Sequence, residues 1–286
     1  MGSPASSTAR TLARPGQPDL HYTVDDWTDP WAEAPWLFLQ HGYCRSGAFW
    51  YQWVPHLARH FRVVRPDMRG VGQSGRFDFA TLTLDVLIDD VVAIAAALGV
   101  TSLHYCGESL GGIVGMGLAS RRPELVRALA LVSTPARIAG DAQERYALGH
   151  GSIVAAIEAV GIEAWVRATT ASTRFPPDAP PGMVDWFCRS LAAAGPEAHV
   201  EYTRFLQTAD ATPLLAGIRA PVLSLYPQAG GIASDAQKQV LQQHIRDIRF
   251  VHLPTRAHMI QHLMPGQCAR QVLQFCAAVD GRICEE

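Results

Sequence analysis

Short apolar runs of strand length alternate in this chain with segments of helical period, and no other feature constrains its fold as strongly. Trp36-Leu37-Phe38-Leu39-Gln40 is too short for a helix and ends before Gly42, and Phe61 to Arg65 repeats the pattern. Between Leu82 and Gly99 the period changes. Leu87, Val91, Ile94 and Leu98 recur at spacings of four, three and four, which predicts an amphipathic helix closed by Gly99. Ser102 to Cys106 returns to strand length, Gly111 to Arg121 is helical with small residues on one side, and Ala128 to Val132 is strand again. Helical crossovers make successive strands parallel and cover both faces of their sheet, so the expected class is α/β, a mostly parallel sheet between two layers of helices.

The rhythm stops between Thr134 and about Gly217. Ile153 to Thr169 and Val184 to Leu191 read as helices, separated by the turn-forming Phe175-Pro176-Pro177-Asp178-Ala179-Pro180-Pro181. Alternation then resumes with Pro221 to Tyr226 as strand, Asp235 to Ile245 as helix, Ile248 to Leu253 as strand and Gly266 to Val279 as the closing helix. The expected organisation is a leader with the first strands (1–30), a first core part (31–134), an inserted helical cap (135–217) and a second core part (218–286).

Composition removes several classes of function. With 24 Lys and Arg against 26 Asp and Glu, and no basic run, the chain has nothing to track a phosphate backbone, so no nucleic-acid partner is expected. A 17% charged, 48% hydrophobic composition excludes long disordered tails. The six cysteines, Cys44, Cys106, Cys188, Cys268, Cys276 and Cys284, form no C-x-x-C pair and read as free thiols of a reducing cytosol. No segment approaches the roughly 20 consecutive apolar residues of a membrane span. Residues 1–17 hold no apolar signal core, and Met1 to Ser6 reads as a polar leader despite its loose myristoylation pattern. A cytoplasmic protein without a membrane partner is expected, its oligomeric state left open.

Gly107-Glu108-Ser109-Leu110-Gly111 matches G-x-S-x-G with a strand before it and a small-residue helix after it, the context in which that pattern presents a nucleophile at a sharp turn. His41-Gly42 and Asp67-Met68-Arg69-Gly70-Val71-Gly72-Gln73-Ser74 precede it in order. In these three motifs, and from Phe38 to the last helix, the chain resembles the α/β-hydrolase family, with a cap region around Trp165 and Phe175-Pro176-Pro177 similar to that of small-molecule esterases and enol-lactone hydrolases. The resemblance implies that Ser109 attacks a carbonyl. It implies that His258, in the loop after the last strand, is the base, and that the backbone N–H groups of Tyr43 and Leu110 form the oxyanion hole. Trp165 and Trp186, with Phe187, are candidates for an aromatic substrate pocket over Ser109, although apolar residues at helical spacing also serve as core.

One member of the pattern is missing. The family usually carries an acid a few residues after the penultimate strand, and here that place falls near Gly230. Some members take the acid after the preceding strand, where Ser133-Thr134-Pro135 stands, with Asp141 and Glu144 further on. Asp235 is nearest to the usual place, yet Ser234-Asp235 is also an ordinary helix start. The expectations are Asp235, then Asp141 and Glu144, or a Ser-His dyad. Two further patterns fail on context. Gly70 to Gly75 spells G-x-G-x-x-G, but no helix opens at its third glycine, and His258 and His262 have zinc spacing but enclose Met259 and lack a third ligand. No cofactor and no metal are expected. The function expected is a serine hydrolase that cleaves a small hydrophobic carboxylic ester or lactone through an acyl-enzyme. Its rivals are a carbon-carbon bond hydrolase of ring-cleavage products, a cofactor-free oxygenase or lyase, and a non-catalytic ligand-binding relative.

Overall fold

The computed structural model describes residues 6–138, 140–229 and 234–284. Its strands are β1 (Ser6–Leu12), β2 (Leu20–Asp26), β3 (Trp36–Gln40), β4 (Arg62–Pro66), β5 (Leu103–Glu108), β6 (Val126–Val132), β7 (Val222–Pro227) and β8 (Ile248–Leu253). They form one sheet in the order β1-β2-β4-β3-β5-β6-β7-β8. The pairs β1–β2 and β2–β4 are antiparallel, and all pairs from β4 through β8 are parallel. The alternation read from the sequence is therefore the parallel part. β1 and β2, within residues 1–30, add an antiparallel edge.

The helices are α1 (Val54–Leu57), α2 (Leu84–Ala97), α3 (Leu110–Arg121), α4 (Gly140–Ala147), α5 (Ile153–Val160), α6 (Ile162–Thr169), α7 (Pro181–Ala192), α8 (Gly195–Thr208), α9 (Asp235–His244), α10 (Ile260–Leu263) and α11 (Pro265–Val279). Side chains alternate across each strand, so each strand feeds two cores. Phe38, Tyr105 and Leu129 face α2, α3 and the helices inserted between β6 and β7, whereas Leu37, Leu39, Cys106 and Ala130 face α1 and α11. The segment read as one helix from Ile153 to Thr169 is two, because Gly161, at φ 79°, turns the chain between α5 and α6. Four helices were not expected, the one-turn α1 and α10 and the longer α4 and α8. In α8 the buried face carries His199 and Thr203 beside Ala198 and Tyr202, which hides the apolar period.

Chain order places the site. β3 lies between β4 and β5, so the loops leaving the carboxyl ends of β3 and β5 emerge side by side where the strand order reverses.

Candidate active site

Ser109 sits at the turn from β5 into α3 with φ 52° and ψ −115°, a left-handed conformation costly for a residue with a side chain. Packing around it forces the turn. A Cβ on Gly107 would strike the Gly111 carbonyl, and one on Gly111 would lie 2.6 Å from the His41 carbonyl oxygen, so only glycine fits at either flank. The Ser109 N–H donates to the Val132 carbonyl (3.1 Å), and the Ser109 carbonyl accepts from Gly112 (2.9 Å) and Ile113 (3.1 Å), which opens α3 directly at the turn. Its Oγ makes no hydrogen bond to a described residue and lines a pocket of about 620 Å³, counting the open mouth.

The loop after β3 forms the opposite wall. Burial holds His41 neutral, its value lowered to about 4, with Nδ1–H donating to the Gly42 carbonyl (2.7 Å) and Nε2 accepting from the Met68 N–H (3.0 Å). That fixes the loop across its own turn. Neither the Tyr43 nor the Leu110 main-chain N–H has an acceptor among the described residues. The Tyr43 hydroxyl is engaged elsewhere, donating to the His199 carbonyl (2.9 Å) and lying 2.9 Å from Thr203 Oγ1, both on α8.

His258 is buried and shares the pocket with Ser109. Its own carbonyl accepts from Ser133 Oγ (2.9 Å), and its N–H donates to the Thr173 carbonyl (3.2 Å). No hydrogen bond joins its ring to Ser109 among those of the described residues. Its Nε2 lies 3.4 Å from Oε1 of Glu108, a long ion-pair contact, and its Nδ1 has no partner. Glu108 is thus the described carboxylate beside the histidine ring. Its other oxygen, Oε2, accepts from Arg45 Nη2, and Arg45 Nη1 points at Met259 Sδ (3.0 Å). A side chain on Gly42 would collide with both members of this pair.

Charge explains the protonation states. Burial alone would raise Glu108, but the Arg45 guanidinium and then the His258 ring outweigh it and hold the carboxyl at about 2. For His258 burial dominates and lowers the value; Glu108 works against the shift, and the Arg45 and Arg174 charges add to it. At neutral pH the site holds a charged carboxylate beside a neutral imidazole.

Two of the carboxylates expected from the sequence, Asp235 and Glu144, make no contact with the His258 ring. Asp235 stands in the first turn of α9, which Ser234 caps, and pairs with Lys238 Nζ (2.9 Å) with its side chain 92% exposed, and Glu144 is exposed on α4. The side chain of Asp141 and the whole of Gly230 lie outside the described residues. Glu108 and Arg45 were missed although a signal existed. Glu108 is a charged residue inside the G-x-S-x-G motif and Arg45 follows His41-Gly42 by three residues, and a charge buried there must find a partner.

The family model for the alpha/beta hydrolase fold matches residues 35–265. This chain belongs to the α/β-hydrolase family. A protein of Azorhizobium caulinodans named carbamate hydrolase RutD is 27% identical over 94% of this chain and 98% of its own length. A strigolactone esterase of Arabidopsis thaliana is 27% identical over 82% of this chain and 89% of its own. Among solved structures, the enol-lactonase from Burkholderia xenovorans superposes with a TM-score of 0.82 at 26% identity, covering 94% of this chain and all of that one.

Other residues singled out in the sequence take definite places in this α/β-hydrolase. Asp67 is a brace below the site, accepting from the Gly47 (2.7 Å) and Gln73 (2.8 Å) N–H groups, and Arg69 forks onto Asp90 (2.6 and 2.7 Å). Trp165 does line the pocket, its Nε1–H donating to the Tyr146 carbonyl (2.8 Å). Trp186 does not; it packs on Phe49, Tyr51 and His262, ring centroids 5.0 to 5.6 Å apart. His262 is a member of that aromatic cluster, with Nδ1 3.2 Å from Gln52 Oε1. Among the described residues no group of three or more His, Cys, Asp or Glu side chains is placed to hold a metal, and no helix is long and apolar enough to cross a membrane.

Proposed function

We propose that this α/β-hydrolase cleaves a small carboxylic ester or lactone through an acyl-enzyme on Ser109. The observation that carries the reading is the strained elbow, which presents an unbonded Oγ to the pocket that also holds His258. Esterase and enol-lactonase relatives of nearly full coverage support the substrate class.

The sequence of steps follows from the groups present. Oγ of Ser109 attacks the carbonyl carbon while His258 takes its proton on the ring nitrogen turned away from Glu108. The oxyanion forms against the unused N–H groups of Leu110 and Tyr43, which need no reorganisation to receive it. Collapse of the adduct breaks the bond to the leaving oxygen, which takes the proton back from His258, and the acyl group stays on Ser109. Water then attacks the acyl-enzyme with His258 again as base, releasing the acid and restoring the serine. Glu108 stabilises the imidazolium at each step, and Arg45 keeps that carboxylate ionised in a dry site. The helices between β6 and β7 act as the cap that closes the pocket from above. Turnover of p-nitrophenyl esters by Ser109→Ala tests the reading. A loss of roughly 10⁴-fold or more with the fold retained is the expected result, and retained turnover would remove Ser109 from the mechanism.

A further inference from the structure

The pocket over Ser109 is lined on the inserted-helix side largely by apolar side chains such as Trp165, Leu191 and Leu206, with the neutral polar Gln143, Thr203 and Gln207 and one charged group among them. That group is Arg174, only 6% exposed, at the end of the π-helical turn Thr170–Arg174. Its Nη1 donates to two hydroxyls, Thr169 Oγ1 (2.6 Å) and Thr170 Oγ1 (3.3 Å), and no carboxylate among the described residues lies within ion-pair distance of it. Tyr146, Trp165 and Phe187 surround the guanidinium with ring centroids 5.1 to 6.0 Å away. Arg45, the other guanidinium on the pocket, has Glu108 as its counter-ion.

Neutral hydroxyls and aromatic faces orient a cation without neutralising it. A cation removed from water with no counter-ion is costly, and a fold retains one where an anion completes the site. Nη2 and Nε of Arg174 make no hydrogen bond to a described residue, so the fork that matches a carboxylate is open. The turn is also tied to the reacting groups: the Met259 N–H donates to the Arg174 carbonyl (3.0 Å), next to the bond from His258 to Thr173. A molecule bridging Ser109 and Arg174 is therefore held at two points anchored to one another.

We infer that the substrate carries a carboxylate besides its scissile ester or lactone, and that Arg174 binds it. The inference rests on the hydrolase reading above and narrows it from a generally hydrophobic substrate to a monoanion with an apolar middle.

The test compares p-nitrophenyl hydrogen glutarate with its methyl ester, which differ in the distal carboxylate and share the leaving group. The wild-type enzyme is expected to favour the anionic ester by roughly 10²-fold in kcat/KM, the scale of a buried charge pair. Arg174→Met should bring that ratio close to one, and Arg174→Lys should keep part of it by restoring charge without the fork. A wild-type ratio near one, or a ratio unchanged in Arg174→Met, would overturn the inference. A binding arm separates this from the hydrolase reading. Monomethyl glutarate titrated into Ser109→Ala should bind at least tenfold more tightly than dimethyl glutarate, and the preference should vanish when Arg174→Met is added. Should the wild-type enzyme hydrolyse neither ester, the hydrolase reading falls, while equal binding of the two glutarates would defeat the role of Arg174 alone.

Discussion

The two sides of the pocket are built on opposite electrostatic plans. On the sheet side, at the ends of β3 and β5, Glu108 has Arg45, His41 has Gly42 and Met68, and Asp67 has two backbone donors. On the side of the inserted helices the wall is largely apolar with the neutral Gln143, Thr203 and Gln207, and its one cation has hydroxyls and aromatic faces but no described carboxylate beside it. A site whose polar groups satisfy each other is rigid and prepared for a reaction, whereas an unsatisfied one waits for a ligand. In the proposed mechanism the sheet side performs the chemistry and the insertion selects the substrate.

The largest effects should therefore come from the sheet side. Ser109→Ala removes the proposed nucleophile, and the expected loss of roughly 10⁴-fold or more should appear in kcat with an unchanged far-ultraviolet spectrum. Glu108→Gln comes next. It keeps the shape but withdraws the charge that stabilises the imidazolium, and turnover should fall by roughly 10²-fold or more. This variant also separates an orienting role from a merely structural one through the pH profile. Burial already lowers His258, so the neutral base persists to more acid pH and the acidic limb of kcat/KM should lie below the ordinary histidine value of about 6.5. Glu108 opposes that lowering, so its loss should move the limb to still lower pH; an unmoved limb would confine Glu108 to holding Arg45.

Stability gives a further reading of the same pair. Although burial alone would raise it, in the folded protein Glu108 is held at about 2, below its ordinary value of 4.5, chiefly by the Arg45 charge. Its contribution is therefore complete above about 4.5 and lost as pH falls toward 2, on the order of 3 kcal/mol for a fully buried group. Urea midpoints of wild type between pH 6 and 3 should fall more steeply than those of Glu108→Gln. Parallel slopes would contradict the pairing.

Smaller effects should follow where the two sides merely touch. Tyr43→Phe deletes the hydroxyl bonded to His199 and Thr203 on α8 but leaves the backbone N–H of the loop in place. Activity should stay within roughly tenfold, measured with the p-nitrophenyl esters, because only the contact between insertion and loop is lost. A loss as large as that of Glu108→Gln would show that the insertion takes part in the reaction and would break the division of roles. The smallest change is expected from Asp235→Asn and Glu144→Gln, exposed carboxylates remote from any role, with kcat/KM within about twofold of wild type.

What the sequence disclosed and what it hid follows the range of the interactions. The elbow, the oxyanion loop and the position of His258 are local patterns in which a few residues define a turn, and Gly107, Ser109, Gly111 and His41 could be read directly. The role of Glu108, beside Ser109, is not legible locally, because its partners are Arg45, 63 residues earlier and brought near by the β3–β5 pairing, and His258, 150 later in the loop after β8. Looking for the acid at its customary place after β7 drew attention to Asp235, whose side chain makes a surface pair with Lys238. Aromatic content likewise did not separate Trp165, on the pocket, from Trp186, in a cluster beside it, since both repeat at helical spacing. Arg174 carries no motif at all. Its interest arises from missing neighbours, which a one-dimensional pattern does not express.

The claim that Ser109 is the reacting group and that the sheet side performs the chemistry is tested most directly by covalent labelling. A fluorophosphonate probe reacted with the native enzyme and followed by peptide mass analysis should place one adduct on the peptide containing Ser109, and Ser109→Ala should take up none. An adduct that persists in Ser109→Ala, or a native enzyme that takes up no probe under conditions where it hydrolyses p-nitrophenyl esters, would contradict the account.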